Sequence, residues 1–247
     1  MAAGDITANR GKASDRKCAV FDGVDDSVSL GALGVEFNGG FTLCAWVMRK
    51  DQTKQVILSM PDGDNFFFNY NNGGDDLRIY ASDLTPASLT VATGIGTYVW
   101  THTLLTFDGV NSTIYINGVS KGTQAHTGTL DTAGLVASLG AGDWLNGCLS
   151  DVKLFSRELT QTEITAVVAG SSVTDLIHRW KLADDYTDSV GSFNGTNSGT
   201  YLTNTLPNRL MADAETLNLT AVTDKIIALP RTERDGQFTI VGANREA

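Results

Sequence analysis

Along most of the chain the apolar positions recur at every second residue, in runs of five to ten bounded by Gly, Asn, Asp or Pro. Ala19-Val-Phe-Asp-Gly-Val-Asp-Asp-Ser-Val-Ser-Leu30 is the clearest case. An apolar run enters Asp-Gly, turns over Asp25 and Asp26, and resumes as an alternating strand. Phe41-Thr-Leu-Cys-Ala-Trp-Val47 then alternates again. Period two requires one buried and one wet face, so these segments predict antiparallel strands. The pattern continues at Gln55–Met60, Asn65–Tyr70, Leu77–Ala81, Leu89–Ala92, Tyr98–Phe107 and Ser112–Ile116. Asn117-Gly118 predicts a tight hairpin into Val119-Ser-Lys121. Gly134–Ala141 and Gly147–Phe155 close the series. One segment follows the helical period instead. Thr160-Gln-Thr-Glu163 reads as a capping box, and Ile164, Val167 and Val168 form a stripe that ends at Gly170, which predicts a short helix over 159–169.

Composition adds a bound on function. The 247 residues contain 42% hydrophobic positions, 26 Gly and only 4 Pro, as suits many short strands joined by tight turns. A net charge of −10 repels phosphate backbones, so nucleic acid is excluded as an expected partner and metal cations or neutral sugars are favoured. Cys18, Cys44 and Cys148 have no CxxC spacing, which predicts buried thiols rather than a zinc site or disulfide framework. The opening lacks a basic and apolar leader, and no 18-residue apolar run occurs. Neither a signal peptide nor membrane insertion is expected.

Three ordered motifs carry a family resemblance. They are Phe21-Asp-Gly-Val-Asp-Asp26 with Phe41-Thr-Leu-Cys-Ala-Trp-Val47, the hairpin 104–118, and Gly147–Ile164 with its strand and helix. Together they resemble the laminin G-like branch of the concanavalin A-like lectin and glucanase superfamily. The resemblance implies an all-β jelly-roll sandwich of two antiparallel sheets with one short helix. It covers about residues 18–170. Ile177-His-Arg-Trp180 through Asp188-Ser-Val-Gly191 and Asn194-Gly195 resembles the segment with which such domains usually begin, yet here it comes late. A circular permutation is the expected explanation, with a truncated repeat or a strand donated to a neighbouring subunit as the alternatives. The domain reading is therefore a basic arm over 1–17 (Arg10, Lys12, Arg16, Lys17), a jelly roll over 18–205 with 173–199 as the late strand segment, and an extension over 206–247 holding a hairpin at 224–241.

Hydrolysis is the sharp chemical hypothesis, since the glucanase branch carries Glu-x-Asp-x-x-Glu on one strand. Glu36, Glu158, Glu163, Glu215, Glu233 and Glu246 include no such spacing, and His102, His126 and His178 are isolated in sequence. A non-enzyme is expected. Calcium is the better candidate: hard cations take carboxylate and carbonyl oxygens from Asp-rich loops. The candidate ligands are Asp22, Asp25, Asp26, Asp151 and Asp188, with Asp62, Asp64, Asp75, Asp76 and Asp143 as weaker ones. For a glycan, Phe66, Phe68 and Tyr70 read as core, leaving Asn71, Asn72, Asp75, Asp76, Tyr80 and Trp144 as rim contacts. The expected role is a surface or assembly protein. It would be a virion component of a tailed bacteriophage, forming homo-oligomers or contacting other virion proteins and host glycans. A calcium-dependent carbohydrate-binding module or adhesin on a bacterial surface is the alternative.

Overall fold

The computed structural model describes residues 16–33, 37–60, 66–71, 75–132 and 134–203. In chain order the first strands are β1 (Cys18–Asp22), β2 (Ser27–Ala32), β3 (Phe41–Arg49), β4 (Gln55–Met60), β5 (Phe66–Tyr70) and β6 (Asp76–Ala81). Next come β7 (Leu84–Thr85), β8 (Ser88–Ala92), β9 (Thr101–Phe107), β10 (Asn111–Ile116), β11 (Val119–Ala125) and β12 (Thr127–Gly128). The last elements are β13 (Val136–Leu139), β14 (Asn146–Phe155), helix α1 (Gln161–Val168), β15 (Leu176–Trp180), β16 (Thr196–Ser198) and β17 (Tyr201–Thr203).

Two antiparallel sheets face each other as a jelly-roll sandwich. One runs β11-β10-β9-β3-β14-β1-β17, with β15 also paired to β14; the other runs β16-β2-β13-β4-β5-β6-β8. Alternation decides which side chains fill the space between them. In the seven-stranded sheet the inward row reads Val28, Leu139, Leu58, Phe68 and Ile79, register partners across five strands and none more than 2% exposed. In the eight-stranded sheet Ala19, Leu149 and Val47 form the facing row. Burial of these rings and branched chains is the main source of stability, at roughly 25 cal/mol per Å² of apolar surface. Phe37, Phe41 and Phe66 make a stacked and edge-on cluster at one end of this core.

The helix covers a second, smaller cluster on the outer side of the eight-stranded sheet, where Ile164 and Val167 pack on Cys44, Leu104, Phe155 and Leu159. The expected capping box is present: the Thr160 hydroxyl accepts from the Glu163 amide, and the Glu163 carboxylate accepts from the Thr160 amide. Arg157 grips the Glu163 carboxylate with both terminal nitrogens and reaches Asp175 with Nε, which ties the helix to the chain entering β15.

The late strand is placed within the chain. β1 pairs with residues 146–149 of β14, and β15 pairs with residues 152–155 on the same side, so the two lie end to end along one neighbour. Asp151 sits between them at φ 53°, where β14 bulges against β3. Trp180 is fully buried and donates from Nε1 to the Phe193 carbonyl, so the late strand exposes no aromatic edge. The following segment adds β16 to the edge of one sheet and β17 to the edge of the other. All three cysteines are buried free thiols. Among the described residues no helix is long and apolar enough to cross a membrane. The hairpin expected at 224–241, the first fifteen residues of the arm, and Asp62, Asp64 and Asn72 fall outside the described residues.

Candidate functional site

The same alternation that builds the core dictates the outer face of the seven-stranded sheet. One residue along from the apolar row lies a row that crosses all seven strands: Thr196, Ser29, Ser138, Ser59, Phe67, Tyr80 and Ser88. Directly opposed residues of an antiparallel pair share a face, so these seven side chains point the same way. Five are hydroxyls. The other two are aromatic rings, Phe67 and Tyr80, with centroids 6.4 Å apart and planes inclined at 48°.

Beside them runs a second outward row of Asn69, Arg78 and Thr90. Arg78 donates from Nε to Asn69 Oδ1 at 3.3 Å, and its guanidinium carbon lies 5.4 Å from the Tyr80 ring centre. Asn69 is fully buried and donates onward to the Tyr70 carbonyl. The turn 140–145 flanks the rings. Ser59 donates to the Ala141 carbonyl, and a Cβ on Gly142 would stand 3.6 Å from the Phe67 ring. Trp144, 38% exposed, belongs to this turn.

Of the expected rim residues, Tyr80 is on the platform itself and Asp76 is two positions from Arg78 on the same face. Asp75 is held by Arg49 (3.4 Å) and Gln52 (3.1 Å) at the strand's end, while Asn71 donates its amide to the Asp76 carbonyl. Phe66, Phe68 and Tyr70 are core, as expected. Phe67 was missed. Its signal was available in the sequence: three inward aromatics at alternate positions place the ring between them on the wet face.

The carboxylates expected to bind a cation separate into two groups. Asp22, Asp25 and Asp26 converge at the corner where the chain passes from β1 to β2, with ligand oxygens within 4.8 Å of one another. Asp26 is 5% exposed. Burial pushes its carboxyl up, the Asp22 amide opposes this, and the Asp22 and Asp25 charges push the same way as burial. Gly199 crosses so close to Asp26 Oδ1 that a Cβ there would stand 1.8 Å from it.

Asp151 and Asp188 are engaged by the protein itself. Asp151 contacts Lys153 Nζ and Arg179 Nε, each at 2.7 Å; burial opposes its charge, yet these cations hold the carboxyl below its usual range. Asp188 accepts from His178 Nδ1 and from the amides of Arg179, Val190, Gly191 and Phe193. The two are bridged through Arg179, with no shared cluster between them. Asp143 pairs with Lys54.

Two histidines that look isolated in sequence have side-chain partners in space. His178 meets Asp188, and His126 Nε2 lies 2.7 Å from the Ser112 hydroxyl while Nδ1 contacts the Pro86 carbonyl. Ser112 is fully buried, so this pair offers no nucleophile to a substrate. His102 is buried on β9 beside Trp46, and burial with Lys153 nearby drives its pKa down to about 3.

A family profile described as the concanavalin A-like lectin/glucanases superfamily, in a laminin G branch, matches residues 22–165. Among solved structures, a candidate carbohydrate-binding protein of Bacteroides ovatus superposes with TM-score 0.62 at 18% identity. That match covers 78% of this chain and 60% of the other. The heptameric SAP-like pentraxin of Limulus polyphemus superposes with TM-score 0.57 at 15% identity, covering 76% of this chain and 94% of the pentraxin. The chain thus spans about three fifths of the first structure's length. No curated protein matches the sequence.

Proposed function

Because the chain belongs to the concanavalin A-like lectin and glucanase superfamily, we propose that it is a non-enzymatic glycan-binding module whose binding surface is the outer face of the seven-stranded sheet. The observation that carries this is the Phe67–Tyr80 pair, two rings directly opposed in a row whose other members are hydroxyl side chains. Sugar rings present C–H faces that pack on aromatic side chains, while their hydroxyls need donors and acceptors beside the ring. Ser138 and Ser88 stand in that position, while Ser59 is buried and holds the 140–145 turn through the Ala141 carbonyl. The B. ovatus protein of the same fold supports the reading by its description as carbohydrate binding.

Two features favour binding over hydrolysis. The outward positions of these strands carry one carboxylate, Asp76, whereas a glycosidase needs a pair flanking the bond. Ser112 and His126, the nearest approach to a nucleophile and base, are buried away from this face.

The proposed setting is a particle or cell surface: a virion component of a tailed phage that touches host glycans, with a bacterial surface adhesin as the other setting. In both, the module presents the sheet to a glycan while residues 1–17 and 206–247 make the assembly contacts.

The proposal includes a structural cation at the corner. Asp22, Asp25 and Asp26 offer the carboxylate set a hard cation takes, and a cation would offset the burial, and the smaller repulsion from Asp22 and Asp25, that raise Asp26. Its role would be to fix the β1–β2 corner against β16 and β17.

The test is a glycan screen of the intact protein beside Phe67→Ala/Tyr80→Ala. Losing both rings should weaken binding by about 2–4 kcal/mol, thirty-fold or more, in a variant that circular dichroism shows to be folded at the assay temperature. Equal binding by the double variant would remove the sheet face as the site.

A further inference from the structure

Resting on that reading, we infer that the glycan taken by the sheet face carries a carboxylate, as in a chain containing uronic acids, and that Arg78 receives it. In a chain of net charge −10, guanidinium groups readily find acids. Arg49 pairs with Asp75, Arg157 with Glu163 and Asp175, and Arg179 with Asp151. Arg78 forms no ion pair among the described residues, although Asp76 lies two positions away on the same face. Its one hydrogen bond is from Nε to Asn69, so both terminal nitrogens are left without an acceptor among the described residues.

The group is also held in place. Nε is fixed by an amide that is fully buried and itself anchored to the Tyr70 carbonyl. The guanidinium plane is thereby set beside the aromatic pair before any ligand arrives. Terminal nitrogens presented as a fork match a carboxylate in bidentate fashion, which a lysine could not reproduce. A hexuronic acid has the matching shape: an apolar ring face for Tyr80 and Phe67, and a carboxylate at the ring's edge for Arg78. Asp76, on the same face, disfavours a second anion beside the one that Arg78 receives, which sets a single carboxylate per ring apart from a multiply sulfated sugar.

The test measures affinities of the full chain for polygalacturonate, alginate and hyaluronan. Each is compared with its carboxyl-reduced, neutral counterpart, and dextran sulfate serves as a sulfate probe. At least one uronate should bind ten-fold or more tightly than its reduced form at low salt, with the preference shrinking as salt rises. Arg78→Gln should abolish that preference, so that the uronate and its reduced form bind the variant equally. Arg78→Lys should restore only part of it, and both variants should melt with the parent. Equal affinity for uronate and reduced chain, a preference kept by Arg78→Gln, or preference for dextran sulfate would each overturn the inference while the glycan-binding reading stands. Failure of every charged and neutral glycan to bind would overturn both.

Discussion

Replacing Asp188 by Ala tests how the late segment is held. Its carboxylate, with no exposed side-chain surface, accepts from His178 Nδ1 at 2.6 Å, Arg179 N at 2.9 Å, Gly191 N at 2.9 Å, Val190 N at 3.2 Å and Phe193 N at 3.3 Å. The amides of the 190–193 turn regain water when the carboxylate is lost. Those facing His178 and β15 do not, because Trp180 stacks on the His178 ring and closes the space. Two charged hydrogen bonds lost without replacement cost about 3–5 kcal/mol. In a domain of this size that lowers the melting temperature by roughly 10 °C. Near-ultraviolet circular dichroism and tryptophan fluorescence follow the transition, with Trp180 as the local reporter. The pH dependence supplies a second check. Burial raises the Asp188 pKa, but the Arg179 and Gly191 amides and His178 outweigh it, so the folded value is lowered. A lowered carboxylate pKa stabilises the fold above the unfolded value near 4 and loses that contribution as pH falls through the folded value. The parent should therefore lose stability on acidification below about pH 4, and Asp188→Ala should lose less over the same interval. A variant melting within 2 °C of the parent, a threshold of about 1 kcal/mol or less, would refute this account.

Three further outcomes follow from other parts of the molecule. Calcium should raise the melting temperature of the parent and leave Asp26→Asn unmoved. Without calcium at neutral pH that variant should be the more stable, because a carboxyl whose folded pKa is raised destabilises the fold once ionised. The thiols should resist a disulfide reagent in native protein and react on denaturation, since burial pushes the Cys44 thiol up to about 12 and the contact with Cys18, with burial, raises that of Cys148. If the chain ends make assembly contacts, light scattering should show an oligomer for the full chain and a monomer for residues 16–207 with an unchanged melting transition.

The fold was readable because alternation is local: a residue's face follows from its neighbours, and Asn117-Gly118 and Thr160-x-x-Glu163 each specify a turn or cap within four residues. Strand ends agree with the sequence to within about three residues in most cases, and the helix is bounded by the expected cap. Pairing across the sandwich is not local. Nothing in the spacing of Asp151 and Asp188 revealed that each is taken by Arg179, nor that His126 finds Ser112. The late segment's motif acquires its physical reason only in three dimensions. A Cβ on Gly191 would stand 2.4 Å from both Asp188 Oδ2 and His178 Nδ1, and one on Gly195 would stand 2.6 Å from Val28. The platform falls between these cases. Tyr80 was legible as a rim residue, but its partnership with Phe67 depends on the register of β5 against β6, which single-strand periodicity leaves open.

The most direct measurement of the central claim is amide and side-chain chemical-shift mapping on isotope-labelled protein during titration with a glycan identified in the screen. The account predicts that perturbations concentrate on Ser59, Phe67, Asn69, Arg78, Tyr80, Ser88 and Ser138, while the 22–26 corner and the outer side of the eight-stranded sheet stay unmoved. Shifts confined to the corner or to the helix-covered face would contradict it.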